Sequence, residues 1–349
     1  MRVGAFILAA QFPGQGQGEA LHRAVRSAEI AEQAGLHDVW LAEHHFVPYG
    51  VCPQAATLAA LLLGRTRRIG VGTAVSVLPT QHPVALGEQA ALLHLTSEGR
   101  FTLGVGRGGP WVDLEVFGSG LAAYDHGFPE SLDLLLRWLR EPRVGAQGER
   151  YAFREVAVVP RPAEALGDPD DPDGLTAGPP VVVACTSAES VKLAAARGLP
   201  MLLGMHSGDE EKADMVALWR SAAREAGRDG DEIAAAEHVS AGVVQIADDR
   251  AAAVETLTKT MPGWLRQGLG AHVTVDGRYR RMRDPLAYTE LLCALHPVGT
   301  PESCADRLAA TSERTGIRRF ALLVEGSGDL AATEENVRRL GSEVLPQLG

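Results

Sequence analysis

Apolar residues recur along this chain in two alternating rhythms. Eight short aliphatic or β-branched runs read as strands: Val3–Ala9, Asp38–Ala42, Ile69–Val75, Phe101–Gly106, Val181–Ala184, Pro200–Gly204, Ser240–Ile246 and Arg319–Val324. Between them, apolar positions recur at spacings of three and four, as in Leu21/Ala24/Val25/Ala28/Ala31 and Leu86/Gln89/Ala90/Leu93, the pattern of amphipathic helices. Gly35, Gly198 and Gly316 follow such runs and predict left-handed helix stops. Strand and helix alternate throughout, which predicts a parallel sheet with helical crossovers. Eight repeats in this length predict an α/β protein, a single (β/α)8 TIM barrel in which residues 1–349 form one domain.

Two insertions break the rhythm. Within about 145–180, Tyr151–Val159 reads as an extra strand or hairpin arm, and Arg161–Pro180 is a Pro-, Asp- and Gly-rich acidic loop. Residues 261–297 show little sustained periodicity and are punctuated by Pro262-Gly263 and Asp284-Pro285. They read as a long loop, either a lid over a site or a disordered segment.

Composition narrows the function classes. Of the 349 residues, 46% are hydrophobic and 22% charged, an ordinary globular balance, and no apolar run is long enough to span a bilayer. Gln11-Phe12-Pro13-Gly14 after the apolar N-terminus reads as a strand exit rather than a leader cleavage site. Cys52, Cys185, Cys293 and Cys304 are scattered, without a metal-binding or disulfide framework, which points to a reducing cytoplasm. The net charge of −11 and dispersed basic residues, apart from the arginine cluster at 278–283, disfavour nucleic acid. No metal site and no membrane partner are expected.

Three segments carry candidate chemistry. Val39–Phe46 is a strand pattern running into Glu43-His44-His45, and parallel α/β folds collect their chemistry at strand C-termini; the alternative is a satisfied structural histidine pair. Gly99–Gly109 is a strand emptying into glycines around Arg107, whose guanidinium suits a phosphate. Its Gly104-x-Gly106-x-x-Gly109 spacing matches a dinucleotide pattern but opens no clear helix, so that reading is set aside. Val181–Val191 leads into Ser187 and Ser190 at a helix start, where they either cradle a phosphate or simply cap the helix.

Together these segments resemble the luciferase-like, flavin-dependent monooxygenases, closest to the catalytic subunits of bacterial luciferases. The likeness runs through Val39–Phe46, Val71–Ala74, Val77–Val84, Gly99–Phe101, Arg107-Gly108, Val116–Gly118, Gly198–Met201, His296–Pro301 and Val344–Pro346. It implies a barrel binding reduced FMN, which reacts with O2 through a C4a-(hydro)peroxyflavin to oxygenate an organic substrate. Position by position it implies that His44 is the catalytic imidazole, oriented by Glu43 and His45. Arg107, Ser187, Ser190 and the Ala188 and Glu189 N–H groups would hold the phosphate, with Thr186 beside them where relatives have a carboxylate. Ala74-Val75 would form a cis peptide beneath the flavin, and Asp113 would bear on reduced-flavin binding unless it is a solvated loop carboxylate.

Gly106 stands where luciferase carries a reactive cysteine, and Met205 where it has an aromatic residue. These departures put light emission and a long-chain aldehyde substrate in doubt, and suggest an enlarged substrate side for a polycyclic or polyketide intermediate. The resemblance also implies a separate NAD(P)H:flavin reductase and a homodimer through helices near His82 and Glu88. The rivals are an F420-dependent oxidoreductase on the same barrel and a flavin-binding protein without turnover. A metal hydrolase built on His44 and His45 is disfavoured, because adjacent strand residues point to opposite sides.

Overall fold

The computed structural model describes residues 1–161, 178–277 and 283–349, so most of the acidic loop and Arg278 to Met282 lie outside the described residues. Eight parallel strands form the barrel: β1 Arg2–Ile7, β2 Asp38–Leu41, β3 Gly70–Thr73, β4 Phe101–Gly106, β5 Val181–Cys185, β6 Met201–Leu203, β7 Val239–Val243 and β8 Arg319–Leu323. Each pairs with the next, and β8 returns to β1 through registers such as Val3 opposite Phe320, closing the ring.

Closure follows from the period of two. On β1 and β2, Val3, Ala5, Ile7, Val39 and Leu41 face outward into one apolar core shared with the helices. Phe6 and Trp40 face inward with Val182, Leu202, Ala321 and Leu323 from other strands to fill the barrel. The longer helices are α1 Gln17–Gln33, α2 Ala55–Arg65, α3 Pro83–Thr96, α4 Phe128–Arg140, α5 Ala188–Ala196, α6 Asp209–Glu225, α7 Arg250–Gly270, α8 Pro285–Leu295, α9 Pro301–Thr315 and α10 Leu330–Arg339. The stops expected at Gly35, Gly198 and Gly316 are in place, with φ of 79°, 66° and 76°.

The expected strands differ from the observed ones where the chain must turn toward the barrel mouth. The third breaks after Thr73 at a cis Ala74-Val75 bond, and Ser76–Val77 then rejoins the sheet beside Val105 and Gly106. The seventh ends at Val243, and Gln245–Ile246 peels away to pair with Val298–Gly299. Arg143–Gln147 and Ala152–Ala157 form the expected antiparallel hairpin.

The segment 261–297 needs a larger correction. It is mostly helical, since α7 runs through Pro262 to Gly270 and α8 begins at Pro285. Leu257, Met261, Trp264, Leu265 and Gly268 are buried along one face of α7, at helical spacing. The Pro-Gly pair masked that periodicity, and packing of the aromatic face overrides the local cost of Pro262.

Candidate active site at the C-terminal rim of the barrel

A cavity of about 800 Å³ opens where the strands end, within the range of small-molecule sites. Its inner wall carries Glu43, His44 and His45 from the end of β2, Ala74 and Val75 from the cis peptide, Asp113, and Met205 after β6. Six of the residues expected to act together thus do meet: Glu43, His44, His45, Ala74, Val75 and Asp113.

His44 is half-buried, with its ring edge-on to Tyr49 at 5.0 Å. Its Nδ1 is buried without a hydrogen-bond partner beside Gly50, where a Cβ would come within 2.7 Å of that nitrogen. Desolvation, reinforced by His272 and His45, pushes its pKa down to about 3, so the imidazole is neutral around neutral pH. A neutral imidazole carries one N–H donor and one acceptor nitrogen, so the ring on this wall has a donor and an acceptor for a bound group.

The expectation that Glu43 and His45 orient His44 is corrected by their contacts. The Glu43 carboxylate accepts from Ala55 N at 3.0 Å and Val77 N at 2.9 Å, tying the end of β2 to the start of α2 and to the strand after the cis bond. The His45 Nε2 lies 3.7 Å from that carboxylate, and the His45 ring packs edge-on against Phe117. Tyr49 and Gly50 therefore set the His44 ring, while Glu43 fixes the backbone that carries it. Asp113 is buried, and desolvation raises its carboxyl pKa.

The second group lies beside this wall rather than in it. Arg107 follows β4 and is exposed, its guanidinium 4.3 Å over the ring of Tyr124, which does line the cavity. Ser187 and Ser190 follow β5, the strand hydrogen-bonded to β4, so both segments emerge at neighbouring strand ends. Ser187 caps α5: its Oγ accepts from Ser190 N, and Ser190 Oγ accepts from Ser187 N at 3.1 Å. The Thr186 N–H also donates to Ser190 Oγ, at 3.2 Å. Capping and an anion site use the same first-turn N–H groups, those of Ala188 and Glu189 among them, so the cap is compatible with either role.

Comparison with known proteins resolves the family. The family model for luciferase-like monooxygenases matches residues 1–319. The alkanal monooxygenase alpha chain of Photorhabdus luminescens is 30% identical, over 100% of this chain and 98% of its own length. The chain belongs to the luciferase-like monooxygenases. Two solved structures share its fold. Monooxygenase RslO1 from Streptomyces bottropensis has a TM-score of 0.82 at 23% identity, with 100% of both chains covered. The oxygenating constituent of 3,6-diketocamphane monooxygenase from Pseudomonas putida, in complex with FMN, has a TM-score of 0.74 at 20% identity over 100% of this chain and 99% of its own.

Against the luciferase-like pattern, one expectation fails on packing. Gly106 does not enlarge the substrate side: a Cβ there would lie 2.5 Å from Val75 Cγ2 and 3.5 Å from Ala184 Cβ, so the space is already filled by Val75. Sequence reasoning also missed much of the outer wall. Tyr49, Trp111, Tyr124, His206, His272 and Tyr288 line the cavity, yet they come from segments far apart in sequence. The aromatic and histidine side chains scattered through the segments between strands were the one signal available. Among the described residues no cluster of His, Cys, Asp or Glu is arranged to hold a metal, and no helix is long and apolar enough to cross a membrane.

Proposed function

We propose that this luciferase-like enzyme is an FMNH2-dependent monooxygenase that inserts one oxygen atom of O2 into an organic substrate. The observation that carries the reading is His44, with a buried nitrogen left without a partner, on the wall of a ligand-sized cavity that it shares with Glu43, Asp113, Ala74 and Val75. The residues fit a flavin mononucleotide: Arg107, the serines and the first turn of α5 would hold the phosphate, with Ala188, Glu189 and Thr186 beside it. Val75, Gly106, Glu43 and Asp113 would bound the ring system.

Reduced FMN, when bound, supplies the two electrons and the site of O2 activation. The chain's own part is narrower. His44 exchanges a proton with the reacting group, Glu43 holds the loop that presents it, and the buried wall keeps water from that proton transfer. A separate NAD(P)H:flavin reductase would deliver the cofactor in the cytoplasm, and the enzyme would act as a homodimer.

The decisive experiment adds FMNH2 anaerobically, then heavy-isotope O2 with candidate substrates. Binding of FMNH2 followed by one labelled oxygen atom in the product is the expected result. Binding and turnover with reduced F420 and no O2 uptake would replace this reading with the deazaflavin one, and flavin binding with neither oxygenated product nor peroxide would leave a binding protein.

A further inference from the structure

A wall of rings runs outward from His44 along the cavity. From His44 the next ring is Tyr49; His272 lies 6.3 Å beyond Tyr49, and Trp111 lies 4.7 Å from His272. All four line the cavity. At its inner end the wall is stiff. Tyr49 stacks on Trp264 with centroids 4.7 Å apart and planes 7° from parallel, and Trp264 Nε1 donates to Tyr49 O at 3.0 Å. Gly268 of α7 lets that helix approach, since a Cβ there would come within 2.6 Å of Tyr49 Cα.

At its outer end the wall is clasped by backbone. Trp111 and Thr274 form an isolated antiparallel bridge, in which Val112 N donates to Val273 O at 2.9 Å and Val275 N to Pro110 O at 3.0 Å. Gly109 sits against the indole, where any Cβ would collide with it. Residues 109–112 and 271–275 thus hold two rings against each other at the cavity edge, their planes 49° apart, and none of the positions matched to flavin binding lies in 271–275.

We infer that this wall selects the substrate, favouring a planar fused-ring molecule over a straight-chain aldehyde, with Trp111 and His272 as the specificity-determining residues. A polymethylene chain gains only from burial of its area. Each well-placed ring pair adds about two- to tenfold in affinity beyond that burial, because the electron-rich faces and positive edges interact. Rings already fixed by stacking and backbone lose little freedom on binding, which keeps that gain. The inference deepens the monooxygenase reading and rests on it for the identity of the bound molecule as substrate; the selectivity itself is a binding property.

The test measures equilibrium binding of alizarin and of decanal to the full chain, with FMN binding read on the same samples. Alizarin should bind the wild type about tenfold more tightly than decanal or better. That ratio should fall about three- to tenfold in Trp111→Leu and in His272→Leu, and stay within about twofold in Trp111→Phe, which keeps a ring. Equal binding of the two probes by the wild type, or a ratio unmoved by either leucine variant, would overturn the proposal. Where Trp111→Leu does not fold, the wild-type ratio and His272→Leu decide. Selectivity without FMN binding would discard the flavin reading and keep this one, and FMN binding without selectivity would do the reverse.

Discussion

The two ends of the barrel both bury ionisable side chains, and they treat them oppositely. At the N-terminal end, Asp38 opens β2 and Arg319 opens β8. Asp38 accepts from Trp40 Nε1 at 2.7 Å and from Arg319 Nε at 3.0 Å, and the Arg319 guanidinium lies 4.8 Å over the Trp40 ring. At the C-terminal end, His44 Nδ1 and His45 Nε2 are buried with no hydrogen-bond partner. Burial without a partner costs stability, so the rim gives up what the base secures. A barrel closed at one end by a satisfied polar plug can leave reactive groups unsatisfied at the other.

The largest effect should come from breaking the rim. His44→Ala should lower turnover by about 10²- to 10⁴-fold, the range of a lost proton-transfer group, while denaturant midpoints hold or rise. Breaking the base should do the reverse. Asp38→Ala leaves the buried Arg319 with the exposed Glu237 carboxylate at 3.8 Å and should cost about 3 kcal/mol in urea unfolding, with FMN affinity per folded molecule unchanged. Equal losses of activity and stability in both variants would erase the contrast.

Acid bears on buried histidines at both ends, His44 at the rim and His238 just before β7. His44 has its pKa pushed down to about 3 by burial, His296 likewise to about 3, and His238 to about 4. Above pH 6.5, the ordinary histidine value, folded and unfolded chains both carry these rings neutral and stability does not depend on them. As pH falls below that value, the unfolded chain takes up protons that the fold refuses. Stability should therefore drop by about 1.4 kcal/mol per pH unit for each histidine, down toward its folded pKa. Urea unfolding at a series of pH values should show that slope, and His44→Ala should flatten it by one proton between pH 6 and pH 5. An unchanged slope would mean that His44 takes up its proton in the fold.

How much of this was legible in the sequence depended on whether a signal was local. The barrel was, because period-two runs and period-3.6 runs sit within single elements, as in Val3/Ala5/Ile7 and Leu86/Ala90/Leu93. The Glu43-His44-His45 rim was legible because it follows its own strand directly. The cis Ala74-Val75 bond came through family likeness, since nothing in two small apolar residues announces it. The outer wall was hidden because Tyr49, Trp111 and His272 meet only through tertiary packing. The helical course of 261–270 was hidden by Pro262-Gly263, and the role of Glu43 by backbone partners that leave no mark on residue type. Gly106 misled for a related reason: a missing side chain reads as space until Val75 is seen to occupy it.

The smallest predicted effect tests whether the cap of α5 belongs to the base's logic or to the rim's. Ser187 Oγ accepts from Ser190 N, and Thr300 Oγ1 accepts from Ser303 N at the start of α9, so the two hydroxyls do the same local work on different helices. Removing either should cost about 1 kcal/mol of stability, the usual worth of an N-cap. Thr300 belongs to none of the segments matched to phosphate binding, and Thr300→Ala should leave FMN binding as it is. Ser187→Ala should also weaken FMN binding, because the same first turn would offer its N–H groups to the phosphate. Thermal unfolding and FMN titration on the two variants give a direct reading. Matched losses of stability with FMN affinity reduced only in Ser187→Ala place the cap with the rim, and unchanged affinity in both reduces it to a helix start, paired and satisfied like Asp38.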